Sequence, residues 1–174
     1  INRPDNAPIA FSGAPRSFTY LSAERLGPRT SAETSSLPEN EIEVGRTEQY
    51  CAHVLHVLGN GLIEKENRTH PSNEGGTRQL LKYEVEHWLS EIARPIEING
   101  ERLPSSTVAE LRFRVPGSTW VRSTNMGFGL TYALPISHAV LIAETVAMLI
   151  VENPEAHLHP AGQSRIGVFL AWLA

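Results

Sequence analysis

Two acids and two histidines crowd one short stretch of this 174-residue chain: Glu152, Glu155, His157 and His159, interleaved with Asn153, Pro154 and Pro160. The run Met148–Val151 before them is wholly apolar, which suits a strand buried on both faces. Pro154 cannot continue a central strand. Glu152 is therefore expected at the carboxyl end of a buried strand, where open α/β sheets bind their ligands. A carboxylate there can take Mg²⁺ directly or through water. The same spacing also fits a strand end carrying a few solvated polar residues. A further alternative is a metal-dependent hydrolase, because His157-x-His159 with Glu152 and Glu155 is a metal pattern, although no second ligand cluster accompanies it.

A second chemical segment lies upstream. Asn125-Met-Gly-Phe-Gly129 precedes a long apolar stretch, Leu130–Ala147, that predicts a helix. Gly127 and Gly129 let backbone come close to another group. The helix start offers free N–H donors and partial positive charge, so it can bind an anion. Ser123, Thr124 and Asn125 are good caps that could also touch phosphate. A glycine-bearing loop that merely caps a buried helix is an equal reading. Pro135 predicts a kink or a late start.

The run "LIVENPEAHLHPAGQ" resembles the extended Walker B motif of ABC-type ATPases in the SMC and overcoming-lysogenization-defect (OLD) group. It is especially similar to bacterial AAA-type ATPases found in phage-defence systems or beside nucleases. "NMGFGLTYALPI" occupies the place of the signature loop and resembles the "GxG…LP" form of that group, departing from the Leu-Ser-Gly-Gly-Gln of transporters. "YLSAERLGPR" is similar to a further segment of the same group, where Arg25 and Arg29 could face phosphates or a partner subunit; surface arginines near a turn are as good a reading.

The resemblance implies ATP and Mg²⁺ as cofactors and a second ATPase head as partner, with a nuclease or other effector attached and DNA as a candidate target. It implies that Glu152 is the Mg²⁺ acid. Asn153 stands where a water-polarising glutamate is usual, so Asn153 and Glu155 would position or activate water. Ser123, Thr124, Gly127 and Gly129 would reach a γ-phosphate held by the opposite head. His157 and His159 would lie at the contact between heads.

Two elements of the family are missing, the P-loop and the later switch histidine in a Thr-His-Ser strand. A P-loop needs Gly-x-x-x-x-Gly-Lys-[Ser/Thr], and Lys65 and Lys82, the only lysines, neither follow a glycine nor precede Ser or Thr. Ile1 at the start and the apolar run ending at Ala174 suggest a piece of a longer protein. Little ATP affinity and little turnover are expected of the piece alone. A non-enzymatic interaction module derived from an ATPase is the remaining alternative.

The supporting elements follow from pattern. Net charge is −4, so no global basic field advertises nucleic acid. The single cysteine, Cys51, excludes an internal disulfide framework, fits a reducing cytoplasm, and reads as a buried helix residue. No run suits a membrane span, and no signal peptide is seen. Residues 1–17 read as loop, Phe18–Ser22 as a strand, Thr30–Glu43 as a flexible loop, and Glu64–Gly76 as a loop prone to disorder. Gly45–Leu58 and Thr77–Ala93 predict amphipathic helices, with His53 and His56 as ordinary face residues. Ile96–Ser123 predicts an antiparallel meander, with a hairpin signal at Asn99-Gly100.

The expected fold is α/β, a partial P-loop NTPase of ABC-head type: a mostly parallel sheet, flanking helices and a small meander. Within one domain, 1–44 would supply strand and loop, 45–95 a helical insertion, 96–123 antiparallel strands, and 124–174 the signature helix, Walker B strand and following helix.

Overall fold

A computed structural model of the chain describes residues 18–63, 68–72, 79–144 and 147–174. The loops expected at 1–17 and over much of 64–76 lie outside these residues. The architecture is mixed α/β. Strand β1 (Phe18–Leu21) pairs in parallel with β6 (Met148–Val151), Tyr20 opposite Ile150 and Leu21 opposite Val151. A second sheet is antiparallel: β2 (Ala32–Glu33) and β3 (Glu97–Arg102) flank β4 (Val108–Arg114), and β5 (Val121–Arg122) also pairs with β4. Among the described residues, parallel pairing is thus confined to β1 and β6, and the sheet is not mostly parallel. Thr30–Glu43 is not all loop either, because Ala32–Glu33 pairs with Val108 and Ala109.

The predicted hairpin at Asn99-Gly100 is corrected. Both residues sit inside β3, and the turn to β4 comes at 103–107. Gly100 serves a different need: a Cβ there would lie 2.5 Å from the Ala52 carbonyl oxygen on helix α1 (Cys51–Leu58). The glycine lets helix and strand approach backbone to backbone. Helix α1 begins later than the apolar pattern suggests, because Gly45 and Glu48 both take positive φ and turn the chain first. His56 is exposed as expected, but His53 is buried and its Nδ1 accepts the Ser35 N–H.

Helix α2 (Leu81–Ile92) turns Leu81, Val85, Trp88, Leu89 and Ile92 into the core at helical spacing. Helix α3 (Phe128–Ile142) is buried from Leu130 to Leu141. A helix apolar on all sides belongs inside, and α3 packs against α1, α2 and α4 (Pro160–Leu173). It runs through Pro135 without the predicted late start. The Thr131 and Ser137 hydroxyls donate within the helix to the Phe128 and Ala133 carbonyls, whereas His138 Nδ1 meets Cys51 Sγ of α1 at 3.0 Å. Cys51 is the buried helix residue that its context predicts.

The carboxyl end of α3 is closed by a distant side chain. The buried guanidinium of Arg68 donates to the carbonyls of Val140 at 2.6 Å and Glu144 at 2.7 Å, and to that of Ala143. Val140 belongs to the last turn of α3, whose carbonyls have no partner within the helix, and Ala143 and Glu144 follow its end. Arg68→Met is expected to lower stability by about 2–3 kcal/mol, the usual size for hydrogen bonds to a charged group. Urea unfolding would measure it, and an unchanged midpoint would show that α3 ends equally well without the guanidinium.

Candidate functional site

The β1–β6 pair fixes where the first acid points. Side chains alternate along a strand, so Glu152 continues the face that carries Met148 and Ile150. That face is open: Met148 is 47% exposed and Ile150 44%. This corrects the expectation of a strand buried on both faces. The apolar run is covered only on the Leu149 and Val151 side, where those two residues pack against the core.

Glu152 extends the ladder, its N–H donating to the Leu21 carbonyl at 2.9 Å. Its carboxylate is exposed and held by two donors: the Ala23 N–H reaches Oε2 at 2.8 Å and the Tyr20 hydroxyl reaches Oε1 at 2.8 Å. These bonds, the Ala23 N–H first, hold the carboxyl below the usual carboxylate range, and Arg46 adds to the pull. The Tyr20 phenol is correspondingly raised by its bond to the carboxylate. Glu152 is therefore ionised at neutral pH, with lone pairs on both oxygens still open to a cation.

The turn after Glu152 is tightly wound. Asn153 and His157 both take positive φ, and Ala156 and Leu158 donate to the Asn153 and Glu155 carbonyls. The Asn153 and Glu155 side chains are exposed. Arg25 is not at the surface, which corrects that reading of it. It is 5% exposed, and its guanidinium donates to the carbonyls of Glu152 (2.9 Å), Asn153 (2.8 Å) and Ser22 (3.3 Å). Arg29 is exposed, but its backbone clasps the buried Ser123 hydroxyl, which donates to the Arg29 carbonyl and accepts its N–H at 3.2 Å. Ser123 is thus engaged in structure, while Thr124 is exposed.

The glycine segment and the histidines meet in a cleft of about 560 Å³. Gly127 opens α3 with no side chain capping it, and a Cβ there would meet nothing within 4 Å. Gly129 lies against the turn, where a Cβ would fall 2.8 Å from the His157 carbonyl oxygen. The amino end of α4 opens on the same cleft, with His159 Nδ1 accepting the Ala161 N–H at 3.5 Å. Arg94 and Arg165 line it as well. Two helix amino ends and two guanidinium groups favour an anion. The carbonyl end of α2 offsets part of this, and Arg165 donates to one of its oxygens, Glu91 O. Glu152, Asn153 and Glu155 do not line the cleft. The acid therefore lies outside the cleft that holds the glycine loop.

Among the described residues no three His, Cys, Asp or Glu side chains converge to hold a metal. His157 instead packs its ring on Tyr132, 4.5 Å between centroids, and on Phe128 at 5.3 Å. The hydrolase alternative thus lacks a ligand cage. A single carboxylate suits a hard cation that keeps waters and takes further oxygens from a bound phosphate, as Mg²⁺ does. Tyr20, Ala23 and Arg46 escape sequence reasoning, because the β1–β6 register brings Tyr20 and Ala23 beside Glu152, and Arg46 joins them from a separate loop, over the Tyr20 ring.

No helix among the described residues is long and apolar enough to cross a membrane. No family, no curated protein and no solved structure matches the chain.

Proposed function

We propose that this chain is the signature and Walker B part of an ABC-type ATPase head of the SMC/OLD-like group, working with Mg²⁺-ATP and a second head to control an effector that acts on DNA or in phage defence. The observation that carries the reading is Glu152: an ionised, exposed carboxylate at the carboxyl end of a parallel strand, oriented by two donors. In this reading Glu152 holds Mg²⁺, and the exposed Asn153 and Glu155 orient or activate water. Bound Mg²⁺ would neutralise phosphate charge and polarise the group to be transferred. Gly127 and Gly129, with the free N–H groups of α3, would receive the terminal phosphate of a nucleotide on the opposite head. The separation of that cleft from Glu152 suits two half-sites completed across a dimer.

Mn²⁺ can replace Mg²⁺ as a paramagnetic probe. With Mn²⁺-ATP, the amide signals of Ala23 and Tyr20 are expected to broaden first, with weak affinity, on the order of millimolar for a single carboxylate. Glu152→Gln is expected to weaken this at least about tenfold, near 1.4 kcal/mol. Broadening centred elsewhere, or unchanged in Glu152→Gln, would overturn the assignment of the acid.

One observation favours a second reading, the non-enzymatic interaction module. The exposed apolar face of Met148 and Ile150 is suited to burial against another protein. Concentration-dependent association with no response to Mn²⁺-ATP would support it.

A further inference from the structure

Arg25 is the point where three parts of the molecule meet. Its guanidinium bridges the carbonyls of Glu152 and Asn153 on the acidic turn and that of Ser22 after β1. It lies over the Tyr132 ring of α3, 4.9 Å from the centroid, and the Tyr132 hydroxyl donates to the Arg25 carbonyl at 3.1 Å. The opposite side of the link is His157, whose ring meets Tyr132 edge-on and whose backbone presses on Gly129. The turn is therefore fastened to α3 at both ends, by Arg25 before it and His157 after it. Its two left-handed residues, Asn153 and His157, have no glycine to relax them. Such a conformation persists only where its surroundings over-determine it.

We propose that Arg25 is a positioning residue that couples the acidic turn to helix α3, so that an event at the amino end of α3 is passed to the Glu152 carboxylate. Its functional meaning rests on the ATPase reading, but the mechanical link does not. A planar guanidinium donates to two carbonyls at once in fixed geometry. A lysine has one ammonium and cannot span both in the same way. Tyr132 supplies the ring face and the hydroxyl that hold Arg25 to α3. Arg25 touches no atom of the carboxylate among the contacts that hold it, so it acts through the backbone of the turn.

Amide hydrogen exchange reads the link without any ligand. The reporters are Ala156 and Leu158, whose N–H groups close the turn, and the controls are Trp88 and Leu89 in α2. In Arg25→Met the two reporters are expected to exchange at least tenfold faster while the controls change less than twofold. Arg25→Lys should recover less than half of that protection. Tyr132→Phe keeps the ring and should accelerate the reporters by a smaller but measurable factor, threefold or more. Unchanged reporters in Arg25→Met would overturn the inference. So would full rescue by Arg25→Lys, or equal acceleration of reporters and controls, which is general loosening. Unchanged reporters in Tyr132→Phe would overturn the coupling to α3. The same variants titrated with Mn²⁺-ATP separate the two proposals. Faster exchange with no Mn²⁺-ATP response in the wild type leaves the link standing and removes the ATPase reading.

Discussion

Acidifying from pH 6.5 to about 3 is expected to remove roughly 4–5 kcal/mol of stability through His138 alone. The imidazole is fully buried in α3, and that burial pulls its pKa from 6.5 to about 3. In the unfolded chain it protonates near 6.5, so between these values the unfolded state binds more protons and stability falls as pH falls. Its only described hydrogen-bond partner is the Cys51 thiol, itself pushed up by burial and therefore neutral, and Nε2 has no partner among the described residues.

Glu48 works in the opposite direction. Burial raises its carboxyl to about 7, against the pull of the Gly27 N–H, Arg25 and Arg29. The folded state keeps that proton longer, so its contribution is complete below 4.5 and is lost as pH rises to about 7, roughly 3 kcal/mol in all. From 4.5 to 6.5 the two groups nearly cancel, and below 4.5 His138 acts alone. Urea unfolding across pH would test this through differences from the wild type. The gap between wild type and His138→Leu should change by about 1.4 kcal/mol per unit below pH 6.5. Glu48→Gln should unmask the His138 slope between 4.5 and 6.5. Parallel wild-type and variant profiles would reject the assignment.

Gly100→Ala is expected to destabilise by about 3 kcal/mol or more, the upper range for overpacking a core. The added methyl would meet the Ala52 carbonyl oxygen at 2.5 Å, the His56 nitrogen at 2.9 Å and the Leu55 Cβ at 2.9 Å. Two of these are backbone atoms in the middle of α1, so no side chain can swing aside. The only relief is to separate α1 from β3, and β3 is held along its length to β4 through six paired positions, Glu97 to Arg102. Gly117 is a useful contrast: a methyl there would meet nothing within 4 Å, but its φ of +81° strains any side chain. Gly117→Ala should therefore lose only about 1 kcal/mol. Equal midpoints for the two variants in urea would show that α1 can yield.

Pattern in the chain announced several elements. The spacing of Leu81, Val85, Trp88, Leu89 and Ile92 forces one face inward, and α2 follows it. In β4 Phe113 is fully buried and Arg112 and Arg114 turn outward into pairs with Glu110 and Glu97, but the simple alternation from Val108 to Val115 fails at two places: Glu110 is itself buried, and Val115 lies exposed past the strand's end. The apolar run Met148–Val151 does form a strand, with an acid at its carboxyl end. Other features depend on contacts between distant residues. Asn99-Gly100 has turn chemistry, yet α1 needs a glycine beneath it, and the strand runs on. Arg25 looks like a surface residue until the carbonyls of Glu152 and Asn153 come within reach of it.

By itself, the sequence determined local matters at the candidate site: a strand ending in Glu152, a turn forced by Pro154, and a glycine-bearing start to a buried helix. Periodicity and φ preference are properties of neighbours along the chain, so they can be read there. Tertiary structure alone decided that Tyr20 and Ala23 hold the carboxylate, that Ser123 is committed to Arg29, and that Gly129 and His159 share a cleft from which Glu152 is absent. Each depends on a register or packing distance between segments more than twenty residues apart, or on which face of a strand is left uncovered. No spacing rule encodes those quantities, because they are fixed only when the whole chain minimises its exposed apolar surface and its unpaired polar groups together.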